Sequence, residues 1–261
     1  MSGRSFSVAT WNVNSLKVRL PHLGQWLQSS HVDVVALQET KVTDADFPFD
    51  EIRDLGYRVV AHGQRTYNGV ALLARSEISD VLCGIPDFSD EQARVLAATV
   101  EGVRIIDVYV PNGQSVGSDK YLYKLRWLDA LRTYLTAALQ EYSKVIVLGD
   151  FNIAPEDRDV HDVKAWEGQV LVSEPERAAL AGILDLGFID TFRQSSQAAG
   201  AYSWWDYRQG AFRHNAGLRI DLVLASERLS KDLDGCLIER EPRGWERPSD
   251  HTPVVASFNL K

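Results

Sequence analysis

The chain has 261 residues, of which 45% are hydrophobic and 25% are charged, and its formal net charge at pH 7 is −8. These proportions are those of an ordinary soluble globule, and the length suffices for one large domain or two small ones. The negative charge argues weakly against a partner held by bulk electrostatics, such as nucleic acid, although carboxylates gathered around a cation would make the formal charge too negative.

Membrane and secretory segments are not predicted. No apolar run reaches the roughly 18 residues that a membrane helix needs, and the N-terminus has no basic start followed by an apolar block. Cys83 and Cys236 lie far apart and outside any metal-like spacing, so they predict no disulfide framework. We expect both cysteines to be reduced and buried, in a cytoplasmic protein.

Strand and helix patterns are mixed along the chain. Segments with the apolar content or alternation of strands are residues 6–12, 32–39, 57–61, 69–74, 96–100, 103–110, 144–149, 218–225 and 253–260. Helical spacing marks residues 19–29, 121–141 and 174–186.

The order of these elements predicts the architecture. Residues 121–141 have Leu122, Leu125, Leu128, Leu131 and Leu135 on one side of the predicted helix. Hairpins and strand–helix–strand units both occur, which favours a mixed pair of sheets flanked by helices over one parallel sheet. Because no linker, repeat or low-complexity tract interrupts the pattern, we expect residues 1–261 to form a single domain.

The segment around which the chain is organised is a buried strand that stops at Gly149 and is followed by Asp150 and Asn152. Residues two apart in an extended segment project from the same side. A carboxylate and an amide are therefore delivered together to the end of a rigid strand, as a site for charged chemistry requires. Asp and Asn are also common in turn caps, and this segment alone leaves that alternative open.

Polar residues recur at the ends of other predicted strands. They are Asn12, Glu39, Tyr109, Asn112, Asp150, Asn152, Asp221, Asp250 and His251. Several carboxylates together suit hard cations such as Mg²⁺ or Mn²⁺, whereas zinc would call for more His and Cys. Asp221 lies inside an apolar run, where a carboxylate is costly unless it pairs with a cation or a donor. A buried structural acceptor is the alternative interpretation of Asp221.

The motifs resemble those of the exonuclease III family, the bacterial apurinic/apyrimidinic endonucleases of the endonuclease/exonuclease/phosphatase superfamily. The resemblance covers nearly the whole length and is carried by residues 11–16, 37–41, 109–113, 124–128, 149–155, 202–208, 217–221 and 249–251. Asp150-Phe151-Asn152 and Ser249-Asp250-His251 belong to the whole superfamily, whereas the tryptophan-rich segment 202–208 and Gly-Leu-Arg-Ile-Asp at 217–221 narrow it to the DNA-repair branch. The implied fold is a four-layer α/β sandwich of two mixed β-sheets flanked by helices.

The resemblance also implies roles for individual residues. Glu39 resembles the principal metal ligand, with Asn12 and Asp250 nearby. Asp150 resembles the residue that aligns or deprotonates the attacking water, and Asn152 its orienting partner.

The remaining implied roles concern the phosphate and the DNA. His251, hydrogen-bonded to Asp221, resembles the group that faces the scissile phosphate. Tyr109 and Asn112 resemble phosphate contacts, and the positions lining a pocket for a base-free deoxyribose are Trp204, Leu218 and Ile220. The family typically has Gly where Ser15 stands in this chain.

The activity implied is Mg²⁺- or Mn²⁺-dependent hydrolysis of duplex DNA on the 5′ side of an abasic site, in base excision repair. Family members also act as 3′-phosphatases or 3′-phosphodiesterases and often as 3′–5′ exonucleases. The expected partner is double-stranded DNA with an abasic site or a blocked 3′ end, bound by a monomer without a membrane partner.

Two other classes of function compete with this hypothesis. In a superfamily relative that acts on phosphoinositides or phospholipids, Trp204 and Trp205 would face lipid, but here they lie inside a repair-type motif. A catalytically dead binding module would have lost a ligand, yet the ionisable and amide residues of the site are all present: Glu39, Asp150, Asn152, Asp221, Asp250 and His251.

Overall fold

Most of the strands form where β-branched and aliphatic residues run together or alternate. The computed structural model describes residues 4–260. Its strands are β1 (Arg4–Asn12), β2 (Val34–Gln38), β3 (Arg58–His62), β4 (Val70–Ala74), β5 (Ser79–Cys83), β6 (Val95–Val100), β7 (Val103–Tyr109), β8 (Val145–Asp150), β9 (Phe188–Asp190), β10 (Asp221–Ser226), β11 (Leu233–Ile238) and β12 (Val254–Leu260).

Two long helices and several short ones connect these strands. The α-helices are α1 (Leu16–Ser30), α2 (Phe49–Asp54), α3 (Asp119–Glu141), α4 (Val163–Trp166), α5 (Glu174–Leu184), α6 (Thr191–Ser195) and α7 (Glu227–Ser230). Short 3₁₀ helices span Asp44–Asp46, Asp157–Asp159 and Glu241–Gly244. No helix within residues 4–260 is long and apolar enough to cross a membrane.

The strands form two six-stranded sheets with the orders β11-β12-β1-β2-β4-β3 and β5-β6-β7-β8-β10-β9. Each sheet has one parallel pair near its centre, and the remaining pairs are antiparallel. In these parallel pairs Asn12 lies opposite Gln38, and Tyr109 lies opposite Asp150. The carboxyl ends of parallel strands thus carry polar residues to one edge of each sheet.

The two sheets pack face to face over a core to which both contribute, with Val8, Leu72, Ile105 and Leu148 among its buried members. On the outer face of the first sheet, α1 and α2 cover a second core. On the outer face of the second sheet, α3 and α5 cover a third. Helix, sheet, sheet and helix make four layers, so the predicted α/β sandwich of two mixed sheets is confirmed.

Two predictions about side-chain burial are wrong. Cys83 is exposed, because β5 is an edge strand with both faces largely open to solvent, whereas Cys236 is buried as expected. Leu122 is 48% exposed, because α3 turns Tyr121, Lys124 and Leu128 inward instead. The other leucines of the predicted stripe follow the prediction, since Leu128, Leu131 and Leu135 are buried and Leu125 is half-buried.

Candidate active site

The polar residues predicted at strand ends meet where the two sheets come together. Asn12, Tyr109 and Asp150 are the last residues of β1, β7 and β8. Glu39 directly follows β2, and Asp221, the first residue of β10, pairs with Asp150 in antiparallel register. The site therefore rests on the ends of core strands, which hold its side chains in place.

Asn12 joins the two sheets. Its Nδ2 donates to Glu39 Oε1 at 2.9 Å and to Asp150 Oδ2 at 3.0 Å, and the residue is fully buried. Its Oδ1 accepts the Asn14 backbone N–H at 3.0 Å. In this arrangement Asn12 presents its amide donor to the two carboxylates, so it fixes the distance between them.

Glu39 is held by an amide, a hydroxyl and an ammonium group. Tyr109 donates its hydroxyl to Glu39 Oε1 at 2.9 Å, and the Lys41 ammonium lies 2.8 Å from Oε2. Burial alone would raise the pKa of Glu39, but the Lys41 charge and the hydrogen bond from Asn12 outweigh it and lower this pKa. Glu39 is therefore ionised at neutral pH.

Asp150 and Asn152 form a turn at the end of β8. The backbone N–H of Asn152 donates to Asp150 Oδ1 at 2.9 Å, and Asn152 Nδ2 lies 3.2 Å from Asp150 Oδ2 and 3.0 Å from the Val110 oxygen. Asn152 has φ 49°, so it is not extended as the same-side argument assumed. The two side chains meet because Asn tolerates this left-handed conformation.

Asp150 is an unusual carboxyl group. Burial raises its pKa to about 7, the Asp221 charge adds to this effect, and the His251 charge opposes it. The group lies in a nearly solvent-free position, 1% exposed, between Asn12 and Asn152. A carboxyl with a pKa near neutrality can accept a proton from water at physiological pH.

His251 lies between two carboxylates, in the turn that leads into β12. Its Nδ1 is 2.9 Å from Asp221 Oδ2, and its Nε2 is 3.7 Å from Asp150 Oδ2. Burial alone would lower the pKa of His251, but the Asp221 and Asp150 charges outweigh it and raise this pKa to about 10. The structure thus brings Asp221 and His251 together, as the resemblance implied, with an imidazolium as the favoured form.

The donor set fits a hard divalent cation. Ligand atoms of Glu39, Asp150 and His251 all lie within 4.8 Å of one another. With Asp221 and Asp250 the site holds four carboxyl groups against the His251 imidazolium and the Lys41 ammonium, so a cation beside Glu39 and Asp150 would offset the remaining negative charge. Oxygen ligands of this kind suit Mg²⁺ or Mn²⁺ rather than zinc.

Asp250 lies beside this cluster and connects it to Trp204. Its Oδ1 accepts from Asn14 Nδ2 at 2.9 Å, and its Oδ2 accepts from Trp204 Nε1 at 3.0 Å. Lys41 donates to Asn14 Oδ1 and so completes a chain of contacts from Glu39 to Asp250. Sequence reasoning assigned no role to Asn14 or Lys41, since turn residues of these types are common on surfaces.

The three residues predicted to line a sugar pocket differ in exposure. Trp204 is partly buried, whereas Leu218 and Ile220 are 0% and 1% exposed and belong to the same small apolar cluster. Trp204 also borders a cavity of about 530 Å³, together with Trp166, His161, Arg208 and His214 among others. Of the three, Trp204 is the one placed to touch a ligand in that cavity.

A buried lysine beside the site was also missed. Lys124 is fully buried and contacts Glu176 and the backbone of Asn112 and Asn152. The sequence does contain a signal for this burial, because Lys124 lies on the same helical stripe as Leu128, Leu131 and Leu135. A lysine on an apolar stripe indicates a buried partner.

The chain is similar to known proteins along nearly its whole length. The sequence profile described as "Endonuclease/Exonuclease/phosphatase family" matches residues 9–251. The chain belongs to this family. Among the family's curated members, exodeoxyribonuclease III of Haemophilus influenzae is 34% identical to the chain and covers 95% of it and 98% of its own length. The exodeoxyribonuclease of Bacillus subtilis is 33% identical, and the match covers 96% of this chain and 98% of the relative.

Solved structures of the family are similar along the whole chain. A Neisseria 3′ phosphatase bound to a product DNA hairpin superposes with a TM-score of 0.96 at 41% identity, covering 98% of this chain and all of the other. An AP endonuclease from Archaeoglobus fulgidus superposes with a TM-score of 0.95 at 36% identity, and the match again covers 98% of this chain and all of the other. The predicted exonuclease III-type family and the class of DNA repair nuclease, a hydrolase, are confirmed.

Proposed function

We propose that this protein hydrolyses the DNA backbone on the 5′ side of abasic sites in duplex DNA, with Mg²⁺ or Mn²⁺ as cofactor. We also propose that it removes blocking groups from 3′ ends and degrades DNA from 3′ ends. It would act as a single-domain monomer in the cytoplasm. The observation that carries the proposal is the convergence of Glu39, Asp150 and His251 within 4.8 Å.

Phosphodiester hydrolysis needs charge stabilisation and an activated water. A divalent cation held by Glu39, with Asn12, Asp150 and Asp250 nearby, would neutralise charge on the phosphate oxygens and the leaving 3′ oxygen. Asp150, buried at the end of β8 and held between Asn12 and Asn152, would take a proton from the attacking water. Asn152 contacts both Asp150 oxygens and would keep the carboxyl oriented toward that water.

The remaining contacts to the phosphate would come from His251, Tyr109 and Asn112. The imidazolium of His251 is held by Asp221 and would donate a hydrogen bond to a non-bridging phosphate oxygen, where negative charge grows in the transition state. Tyr109 and Asn112 would contact the phosphate from the other sheet. Because Asp221 satisfies one ring nitrogen, the other is left for the substrate.

A gel assay with three labelled duplexes tests the proposal. The substrates are an internal abasic analogue, a nick with a 3′ phosphate and an undamaged recessed 3′ end. We expect Mg²⁺-dependent incision 5′ to the abasic analogue and loss of the 3′ phosphate, with both reactions abolished by EDTA. Incision on the 3′ side, or full activity in EDTA, would contradict the proposal.

A further inference from the structure

Lys124 and Glu176 form an ion pair that is removed from solvent. Lys124 lies on α3 and Glu176 on α5, and both side chains are 0% exposed. Taking two charges out of water is costly, and such a pair often stabilises a fold no better than apolar residues of similar volume. The burial of this pair therefore needs a reason other than stability, and the groups that the pair contacts suggest one.

The Lys124 ammonium connects two loops of the site. Besides Glu176, its Nζ donates to the backbone oxygen of Asn152 at 2.7 Å and to that of Asn112 at 3.2 Å. An ammonium has three hydrogens, so these three acceptors satisfy it completely. Asn112 follows β7 and Asn152 follows β8, so one side chain fixes the backbone of both loops relative to α3.

The two loops are also joined to each other at this point. Asn112 Nδ2 donates to Asn152 Oδ1 at 3.2 Å, which sets the direction of the Asn152 amide. Gly113 has φ 94°, and a Cβ built there would lie 3.2 Å from Lys124 Cδ. The Lys124 stem thus packs closely against the loop whose carbonyl its ammonium holds.

Glu176 is fixed in turn by the start of α5. It accepts hydrogen bonds from the Leu171 N–H at 3.1 Å and the Ser173 N–H at 3.2 Å, and also from the Ser173 hydroxyl. Ser173 Oγ lies 2.7 Å from the hydroxyl of Tyr121 on α3. The ammonium is therefore held at a set position rather than free to follow the loops.

We propose that Lys124 is a positioning residue for the reaction: by holding the carbonyls of Asn112 and Asn152 it orients the Asn152 amide toward Asp150 and the Asn112 side chain toward the phosphate. This inference rests on the proposed function. Lys124 is fully buried and, within residues 4–260, its ammonium bonds only Asn112, Asn152 and Glu176, so it would act through the two loops. Its loss should lower turnover while leaving metal binding unchanged.

Three variants separate positioning from folding. Lys124→Met removes the ammonium but leaves the Glu176 charge buried and unpaired, which destabilises the protein. Adding Glu176→Gln removes that charge and keeps an acceptor for Ser173, so the double variant should regain much of the melting temperature. Leu135→Ala is the matched control, because it opens a cavity under α3 three turns, or about 16 Å, along the helix from Lys124.

We expect kcat on the abasic duplex to fall about 10- to 100-fold in the double variant, since small displacements of aligned groups have costs of this size. The half-saturating Mg²⁺ concentration should stay within about twofold of wild type. Leu135→Ala should melt at a lower temperature with wild-type kcat well below that temperature. Lys124→Arg, which retains the charge and several donors, should recover part of the turnover.

Amide hydrogen exchange provides a readout that does not depend on activity. We expect faster exchange in residues 110–113 and 151–154 of the double variant, and unchanged exchange there in Leu135→Ala. If the wild type cleaves DNA and the double variant has wild-type kcat and slow exchange in these loops, the positioning role is wrong. A wild type that fails to cleave would overturn the proposed function and the role in turnover, and the exchange data would still decide whether Lys124 holds the loops.

Discussion

Asp221 and His251 are joined side chain to side chain in the interior, with Asp221 Oδ2 2.9 Å from His251 Nδ1. The contact fixes the ring so that its Nε2 faces Asp150 at 3.7 Å. Since Asp221 is 1% exposed, water does not weaken this interaction as it would at the surface. The pair therefore acts as one unit that presents the Nε2–H of the imidazolium to the centre of the carboxylate cluster.

Removing either partner of the Asp150–His251 contact should impair chemistry more than binding. We expect Asp150→Asn and His251→Ala each to lower kcat by about 10² to 10⁴, the range for general-base and electrostatic contributions. Affinity for DNA should change far less, because both groups act mainly in the transition state. Single-turnover rates and binding titrations measure the two effects separately.

The Asp221–His251 pair supplies the internal control for this prediction. His251→Ala combined with Asp221→Ala should cost less than the sum of the single losses, because the two residues act as a unit. His251→Ala combined with Leu135→Ala should be additive in the free energy of activation. Near-normal turnover in Asp150→Asn or His251→Ala, with only DNA affinity lost, would refute the assigned roles.

Glu39 is expected to control the metal. Glu39→Ala should raise the half-saturating Mg²⁺ concentration and lower kcat together, and excess Mg²⁺ should restore only part of the activity. Tyr109→Phe is the matched variant, because it removes a hydrogen bond to Glu39 without removing a carboxylate. Isothermal titration with Mg²⁺ and activity titrations check the effect. An unchanged metal requirement in Glu39→Ala would place the ligands elsewhere.

Much of this site was predictable because it depends on strand ends. Residues such as Asn12, Glu39 and Asp150 each stand at the end of an apolar run, and a polar group there must find a hydrogen-bond partner or a ligand. The helical period likewise located α1, α3 and α5. Motif resemblance then supplied the roles, which spacing alone left open between catalysis and turn capping.

Contacts across the layers were not predictable from the sequence. The Asn12 amide bridges two sheets, and which of its atoms faces the carboxylates depends on the Asn14 backbone. The edge strands β5, β9 and β11 were missed because they are short or partly exposed, so their apolar alternation is weak. The burial of Lys124 was not predicted, because lysine side chains are almost always exposed.

Asp107 should make stability depend on pH. It is fully buried between the sheets, where Gln38 Nε2 donates to its Oδ1 at 2.7 Å. Burial raises the pKa of Asp107 well above its ordinary value, although hydrogen bonds from Gln38 and Ala71 oppose the effect. The folded state thus binds this proton more tightly than the unfolded state, so the contribution is present at low pH and is lost as pH rises toward the folded pKa.

The Asp107→Asn variant isolates that contribution. Relative to wild type, its free energy of unfolding should increase as pH rises above about 4, by up to about 1.4 kcal/mol per pH unit until the folded pKa is reached. Urea unfolding at several pH values measures the difference between the two proteins, in which the titrations of other groups cancel. A constant difference from pH 4 to pH 8 would show that Asp107 is ionised in the folded state.

Ser15 carries backbone strain at the start of α1. It has φ 91° and ψ 103°, a conformation that favours Gly, and within residues 4–260 its side chain makes no capping hydrogen bond to the helix. Ser15→Gly should therefore stabilise the protein by about 1 kcal/mol. Lys17→Gly, at an exposed position inside α1, should instead destabilise it by about 0.5–1 kcal/mol. Thermal unfolding of both variants checks the sign.

Selectivity for abasic DNA should depend on Trp204. A chain of net charge −8 has limited electrostatic attraction for DNA, so the fit of the substrate to the site must contribute to selectivity. Removing a base lowers the stacking cost of swinging the sugar out of the duplex, a difference of a few kcal/mol. Trp204 is partly exposed, borders a cavity of about 530 Å³ and donates to Asp250, so we expect it to contact that sugar.

Variants of the two neighbouring tryptophans separate a pocket from packing. Trp204→Ala should lower kcat/KM selectively on abasic duplex, with little change on an undamaged recessed end or in the melting temperature. Trp204→Phe keeps a ring and loses only the hydrogen bond to Asp250, so it should retain most of the selectivity. Trp205 is 0% exposed, and Trp205→Ala should lower the melting temperature and both activities alike. If Trp204→Ala behaved like Trp205→Ala, Trp204 would be a packing residue, and discrimination of the abasic sugar would lie elsewhere in the site.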